Sequence, residues 1–247
     1  MLTMSFSANQ GRWIAPFYFI HVTDIQFGFI AARRVNLGNN TCRELGEESQ
    51  AEQQETFREL FSELDTEIPF ICLPGNHDVG DNPTSATISD YKANFGDDYF
   101  SFWVGGVKFI ALNSQYLAND ADPDQVRNRL KSDVLQQNQA HVALSLGADM
   151  YNIPVIHRLN WLTRLKEYIN SWSQLISFCV AGVNNVFAGH MHQNAGGHDH
   201  DLEMTVTSAL GAQLGNDEAG FRIVKVYGDQ VAHEYVELDK PPVDISL

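Results

Sequence analysis

Cysteine is scarce. Cys42, Cys72 and Cys179 stand far apart in 247 residues and share no paired spacing, which excludes a disulfide framework and a cysteine-based zinc site. Cations are scarce too: 16 Lys and Arg against 31 Asp and Glu leave a formal charge of −15. Nucleic acid is recognised through clustered cations on its phosphates, so no such partner is expected. An anionic substrate would meet the same repulsion unless a bound cation reversed the field locally. Long apolar runs are missing as well. Nothing approaches the roughly 20 residues that cross a bilayer, residues 1–11 are polar, and 14–22 are interrupted by Pro16. Neither a signal peptide nor a membrane partner is expected, and a reducing, cytoplasmic compartment is the default. No repeat or low-complexity run divides the chain. The expected layout is an irregular segment over 1–14, one domain over 15–239 and a loose tail over 240–247, where Pro241 and Pro242 stand.

What is present is a series of short β-rich runs, several of which end in polar clusters. Phe17-Tyr18-Phe19-Ile20-His21-Val22 reads as a strand that ends at Thr23-Asp24-Ile25-Gln26. Asp24 there is either a metal ligand or the cap of a following helix. Residues 29–46 break every periodicity and read as loop. Residues 47–64 then carry Phe57, Leu60, Phe61 and Leu64 at helical spacing, with acids near the start. The apolar run Ile68-Pro69-Phe70-Ile71-Cys72-Leu73 predicts a buried strand parallel to the first, completing a strand-helix-strand unit. It leads into Pro74-Gly75-Asn76-His77-Asp78-Val79-Gly80. Asn, His and Asp in a row offer a carbonyl ligand, a titratable imidazole and a carboxylate to orient it.

Further on, residues 88–95 read as helix, and two β-rich runs around Gly105-Gly106 predict a hairpin. Helices are expected over 124–137 and 154–170, short strands over 141–146 and 185–188, and three closing strands over 204–208, 221–227 and 231–238. Residues 171–180 have no clean period. The strand at 185–188 runs into Gly189-His190-Met191-His192. Two His separated by one residue beyond a strand can aim two neutral imidazoles at one divalent ion. His198-Asp199-His200-Asp201 reads as a solvated turn.

Asp24, then Gly-Asn-His-Asp, then Gly-His-x-His, each after an apolar run and in that order, resembles the calcineurin-like metallophosphoesterases from about residue 17 to 238. Residues 95–106 and Gln193-Asn194-Ala195-Gly196-Gly197 look like one branch of that family. The resemblance implies an α/β, metallophosphoesterase-type two-sheet β-sandwich flanked by helices, with metal ligands at the strand ends. Asp24 and His192, with Gln26 nearby, would serve one ion. Asn76 and His190 would serve the second, and His77, held by Asp78, would act on the leaving group. The family uses two divalent ions of the Mn, Fe, Zn or Mg type. The activity implied is hydrolysis of phosphate monoesters, with phosphoserine and phosphothreonine proteins or a small phosphoester as substrate.

Two elements of the family pattern are absent. No Gly-Asp occurs between Phe27 and Pro74, so one strand and its bridging acid are missing, and residues 141–146 are followed by Gly147-Ala148-Asp149 in place of a histidine. His157 is the nearest imidazole, and it falls on a predicted helix face. With five candidate ligands left where a dinuclear site uses about eight, the expectation is weak, mononuclear metal binding and reduced hydrolysis. The alternative is a catalytically impaired splice or gene-model variant that acts by binding partners. The acids to inspect near Asn76 are Asp81, Glu44 and Glu47.

Overall fold

A computed structural model describes residues 13–25, 47–113, 115, 140–146, 183–199 and 202–247. Among the described residues nine strands form two sheets. Strands β1 (Phe17–His21), β8 (Gly220–Val226) and β9 (Val231–Glu237) make an antiparallel three-stranded sheet in the order β1-β8-β9. The second sheet has six strands in the order β2-β3-β4-β5-β7-β6. They are β2 (Phe100–Val104), β3 (Val107–Asn113), β4 (Ala140–Leu146), β5 (Asn185–Ala188), β6 (Ala195–Asp199) and β7 (Leu202–Val206). Its centre, β3-β4-β5-β7, is parallel, and antiparallel β2 and β6 close the two edges.

The sheets meet face to face over one apolar layer. Phe102, Val107, Phe109 and Phe187 from the larger sheet pack with Val224 and Val226 from the smaller. Phe19 of β1 sets its ring edge against both Phe109 and Phe187, at centroid distances of 5.5 and 5.9 Å. Tyr18 and Ile20 stand 45% and 44% exposed on the opposite face, as the period of two along a strand requires. This is the α/β sandwich expected from the motif order. The Gly105-Gly106 hairpin forms as β2 and β3, with both glycines at positive φ.

Three helices are described: α1 (Glu47–Phe61), a single turn α2 (Asn76–Val79) and α3 (Ser85–Phe95). Phe57 of α1 meets Phe95 of α3 edge-on at 5.4 Å, and Phe61 stacks on Phe70 at 4.5 Å. Leu60 and Leu64 were expected on the same buried face. They are 52% and 38% exposed, because the helix ends at Phe61 and buries only the Phe57/Phe61 edge.

The strand expected over residues 68–73 does not form. The segment belongs to no ladder, so the parallel pairing with β1 is overturned. A strand exists only where a neighbour takes its N–H and C=O groups, and among the described strands β1 pairs with β8 alone. Pro69 and Pro74 remove two of the donors. A strand also appears where none was expected: β6 includes His198 and Asp199, which were read as a turn. The helices expected over 124–137 and 154–170, the loop over 29–46 and residues 171–180 lie outside the described residues. Among the described residues no helix is long and apolar enough to cross a membrane.

A buried polar cluster ties β3 to the α2 turn. Asp98 is fully buried; it receives Lys92 Nζ at 2.7 Å and Asn113 Nδ2 at 3.1 Å. Asn113 Oδ1 accepts from Gln115 N at 3.1 Å, and Gln115 Nε2 reaches Gly80 O at 3.4 Å. Gly80 closes α2 at φ 87°, where a side chain would be strained.

At the end of β1, His21 is buried with Nδ1 2.7 Å from Thr207 Oγ1, while Nε2 has no partner. Burial and, less strongly, the charge of Arg222 lower its pKa from 6.5 to about 3, against the pull of Asp24. The unfolded chain therefore takes up a proton near pH 6.5 that the folded chain refuses down to about pH 3. Stability present above that window is lost as the pH falls through it, by up to about 1.4 kcal/mol per pH unit. His21→Asn keeps a polar partner for Thr207 and cannot titrate, so its urea-denaturation profile should be flatter than wild type between pH 6.5 and 4. An unchanged slope would assign the acid lability to other groups.

Candidate active site

Asp24 lies just beyond β1, in a segment stitched to the chain that follows β7. Thr23 bridges to Ala209, and its Oγ1 donates to Thr207 O or Ser208 O at 3.1 and 3.2 Å. Leu210 N donates to Thr23 O and Gly211 N to Asp24 O, both at 3.2 Å. The carboxylate of Asp24 thereby points at the turn after β5. Its Oδ2 accepts from His190 N at 2.7 Å, and its Oδ1 lies 3.4 Å from His192 Nε2. Burial alone would raise the Asp24 pKa, but the contacts with His192, His190 N and Thr23 outweigh it and hold the acid below its usual range.

The two histidines are held differently. His192 Nδ1 bonds to Ala212 O. A carbonyl only accepts, so Nδ1 carries the proton and the Nε2 of a neutral ring turns its lone pair toward Asp24. A lone pair facing a carboxylate oxygen at 3.4 Å repels unless a cation lies between them, either a proton on the ring or a metal ion. His190 Nδ1 is 3.1 Å from Asn76 Oδ1. Burial lowers the His190 pKa, with His192 and His77 adding to the effect while Asp24 and Asp81 oppose it. A neutral imidazole is the form that binds metal.

Asn76 opens α2 and is buried. Its Nδ2 donates to Asp81 Oδ1 at 3.0 Å, which turns the amide oxygen toward His190. Asp81 is thus the acid beside Asn76. Asp78, expected to orient His77, bonds within its own turn, where Oδ2 accepts from Gly75 N at 2.7 Å. Desolvation at the carboxyl lifts its pKa to about 6, opposed by the Gly75 amide and aided by the charge of Asp24, although the residue as a whole is exposed. Asp24, Asn76, His77 and Asp78 all border one large groove that also runs past Phe17, Phe57 and Trp103. Gln26, His157 and Glu44 lie outside the described residues, as does the side chain of Glu47.

Backbone strain marks the same residues. Among the described residues, the non-glycine positions with positive φ are Asp24 (50°), His190 (75°) and His192 (51°). Left-handed backbone costs an ordinary residue about 1–2 kcal/mol and persists where surrounding bonds over-determine it, typically at working sites. The donor set fits divalent metal. A carboxylate, two imidazoles with defined hydrogen-bond partners and an amide oxygen form two adjacent pairs, Asp24/His192 and Asn76/His190, although among the described residues no three His, Cys, Asp or Glu side chains cluster tightly enough to hold an ion by themselves.

The chain is 33% identical over 279 residues to the serine/threonine-protein phosphatase CPPED1 of Bos taurus, covering 96% of this chain and 88% of that protein. The Homo sapiens protein of the same name is 32% identical over 280 residues, covering 94% and 87%. The chain belongs to the calcineurin-like phosphoesterase family. Its members are hydrolases, and the two-sheet fold seen here is theirs. Each alignment is longer than the 247 residues of this chain, so these relatives carry internal segments that this chain lacks. In fold the chain is similar to GAP50, the anchor in the inner membrane complex of Plasmodium, at TM-score 0.56 and 13% identity, over 91% of this chain and 85% of that one. No family model matches the sequence.

The motifs pointed to the side chains but not to the space around them. Gly189 is the clearest case: a Cβ there would stand 2.6 Å from Asp24 Oδ2 and 2.7 Å from Thr23 Cβ. Gly189→Ala should therefore push the Asp24 carboxylate off the His190 amide and cost about 1–3 kcal/mol in urea denaturation. Wild-type stability would show that β1 can give way at no cost.

Proposed function

We propose that this chain hydrolyses phosphate monoesters in a metal-dependent reaction, with phosphoserine and phosphothreonine proteins as the substrate class. The observation that supports it best is the Asp24/His192 pair, whose lone pairs face each other and call for a cation, set beside a second pair, Asn76/His190. Asp24 and His192 would hold one ion, and Asn76 and His190 another. Divalent metal there supplies Lewis acidity and the positive field that a phosphate needs in a chain of charge −15.

The chain's own groups supply the rest. Asp24 Oδ2 and the His190 amide hold the two halves of the site at a fixed separation. Asp81 keeps the Asn76 oxygen turned inward. His77, one residue beyond Asn76 at the start of α2, delivers a proton to the departing alkoxide oxygen. Asp78 fixes that turn through Gly75. The substrate class rests on the names of the relatives. A reducing cytoplasmic setting agrees with the free thiol at Cys72.

One observation favours a second reading, phosphoprotein binding without turnover. The ligand pairs contain a single carboxylate, and the relatives' alignments include segments that this chain lacks. Hydrolysis of p-nitrophenyl phosphate with added Mn²⁺ separates the two. The expected result is a metal-dependent rate that falls about 100-fold or more in His77→Ala. Equal rates for the two proteins would favour binding alone.

A further inference from the structure

Gln193-Asn194-Ala195-Gly196-Gly197 follows the two histidines directly, and the reaction outlined above uses none of it. Its neighbour in space is Arg222, near the start of β8 and only 5% exposed. That guanidinium reaches across from the three-stranded sheet to the six-stranded one. Nη2 donates to Asn194 Oδ1 and lies 3.5 Å from Val206 O. Nε donates to Thr207 Oγ1 at 3.4 Å, and Nη1 to His233 Nδ1 at 2.9 Å. The Tyr235 ring lies 5.7 Å from its carbon. Every arm of the planar fork is engaged, a geometry that a lysine ammonium cannot reproduce.

His233 is fixed in turn. Because the guanidinium only donates, His233 Nδ1 accepts and the ring's proton sits on Nε2, facing Glu203 Oε1 at 3.1 Å and Thr205 Oγ1 at 3.2 Å. One part-buried network therefore anchors Arg222 before it touches Asn194. Asn194 is held a second time, its backbone N donating to Asp217 Oδ2 at 2.8 Å.

The geometry points to Arg222 and Asn194 as a positioning clasp for the His190–His192 turn, an inference that rests on the hydrolase reading of this site. Two left-handed non-glycine residues, His190 and His192, lie between the Asp24 anchor on one side and the Asn194 anchor on the other. Strained backbone of this kind relaxes when one of its restraints is removed. Without the Arg222–Asn194 bond, the His192 ring would lose its fixed approach to Asp24 while the core stayed packed.

Asn194 is exposed apart from this bond, so Asn194→Ala tests the clasp without risking the fold, and Arg222→Lys tests the other partner. Asn194→Asp keeps an acceptor for the guanidinium and serves as the rescue. In metal-free protein, the ring ¹⁵N signals of His190 and His192 are expected to report a single tautomer in wild type and in Asn194→Asp, and a tautomer mixture in Asn194→Ala and Arg222→Lys. With p-nitrophenyl phosphate and Mn²⁺, kcat should fall about tenfold in the last two, with KM within about twofold. Wild-type ring signals in Asn194→Ala overturn the inference, whatever happens to its thermal midpoint. Absence of hydrolysis in wild type would count against the hydrolase reading alone, and the ring signals would still decide the clasp.

Discussion

The carboxylate of Asp24 is the constraint on which this site depends. It is one group with two oxygens, and each engages a different neighbour. Oδ2 accepts the His190 amide, and Oδ1 faces the His192 ring. Both contacts need left-handed backbone at Asp24, His190 and His192, a combined cost of about 3–6 kcal/mol. The bonds from Leu210 N and Gly211 N to the 23–24 carbonyls, and from Leu214 N to His192 O, hold that backbone against relaxation. Gly189 leaves the space in which the approach happens. The sandwich can be understood as a rigid frame that presses two strand ends, β1 and β5, to within one hydrogen bond of each other.

What could be read beforehand divides along the line between local and non-local physics. The β2–β3 hairpin was legible because Gly105-Gly106 and the flanking aromatics are a local signal. The strand at 185–188 was legible from a short apolar run that ends in a polar cluster, but the parallel β3-β4-β5-β7 centre was not foreseen. Residues 68–73 misled because strand formation is a property of a pair, and composition says nothing about whether a partner stands alongside. Strand β6 was missed for the converse reason. Ala195-Gly196-Gly197-His198-Asp199 has no apolar alternation, yet it pairs antiparallel with β7, where Gly196 comes so close that a Cβ would lie 2.7 Å from Met204 O. Arg222 was invisible for a simpler reason: a single cation inside a β run reads as its wet face.

The same division runs through the site. Asp24, Asn76, His190 and His192 were named from motif order, and the fold brings all four together. Of the groups that orient them, only Asp81 beside Asn76 was singled out beforehand; Ala212 O for His192 and Gly75 N for Asp78 are backbone atoms, which residue types do not reveal. Residue types reveal donors and acceptors, whereas aim depends on the backbone.

Charge gives the two readings of this chain their physical content. Asp24 is held below the usual carboxylate range and so carries a full negative charge near neutral pH, while Asp78, exposed in the α2 turn, is lifted to about 6 and is mostly ionised there too. Desolvation at its carboxyl is the main cause of that rise, and the charge of Asp24 adds to it against the Gly75 amide. A divalent ion between Asp24 and His192 would favour the charged form of both acids. A second ion at Asn76 and His190 has no carboxylate in direct contact within its own pair, only Asp81 behind the amide. The first pair would therefore be the stronger half of the proposed centre, and any tight, two-ion hydrolytic chemistry would depend on how much of the Asp81 charge reaches past Asn76.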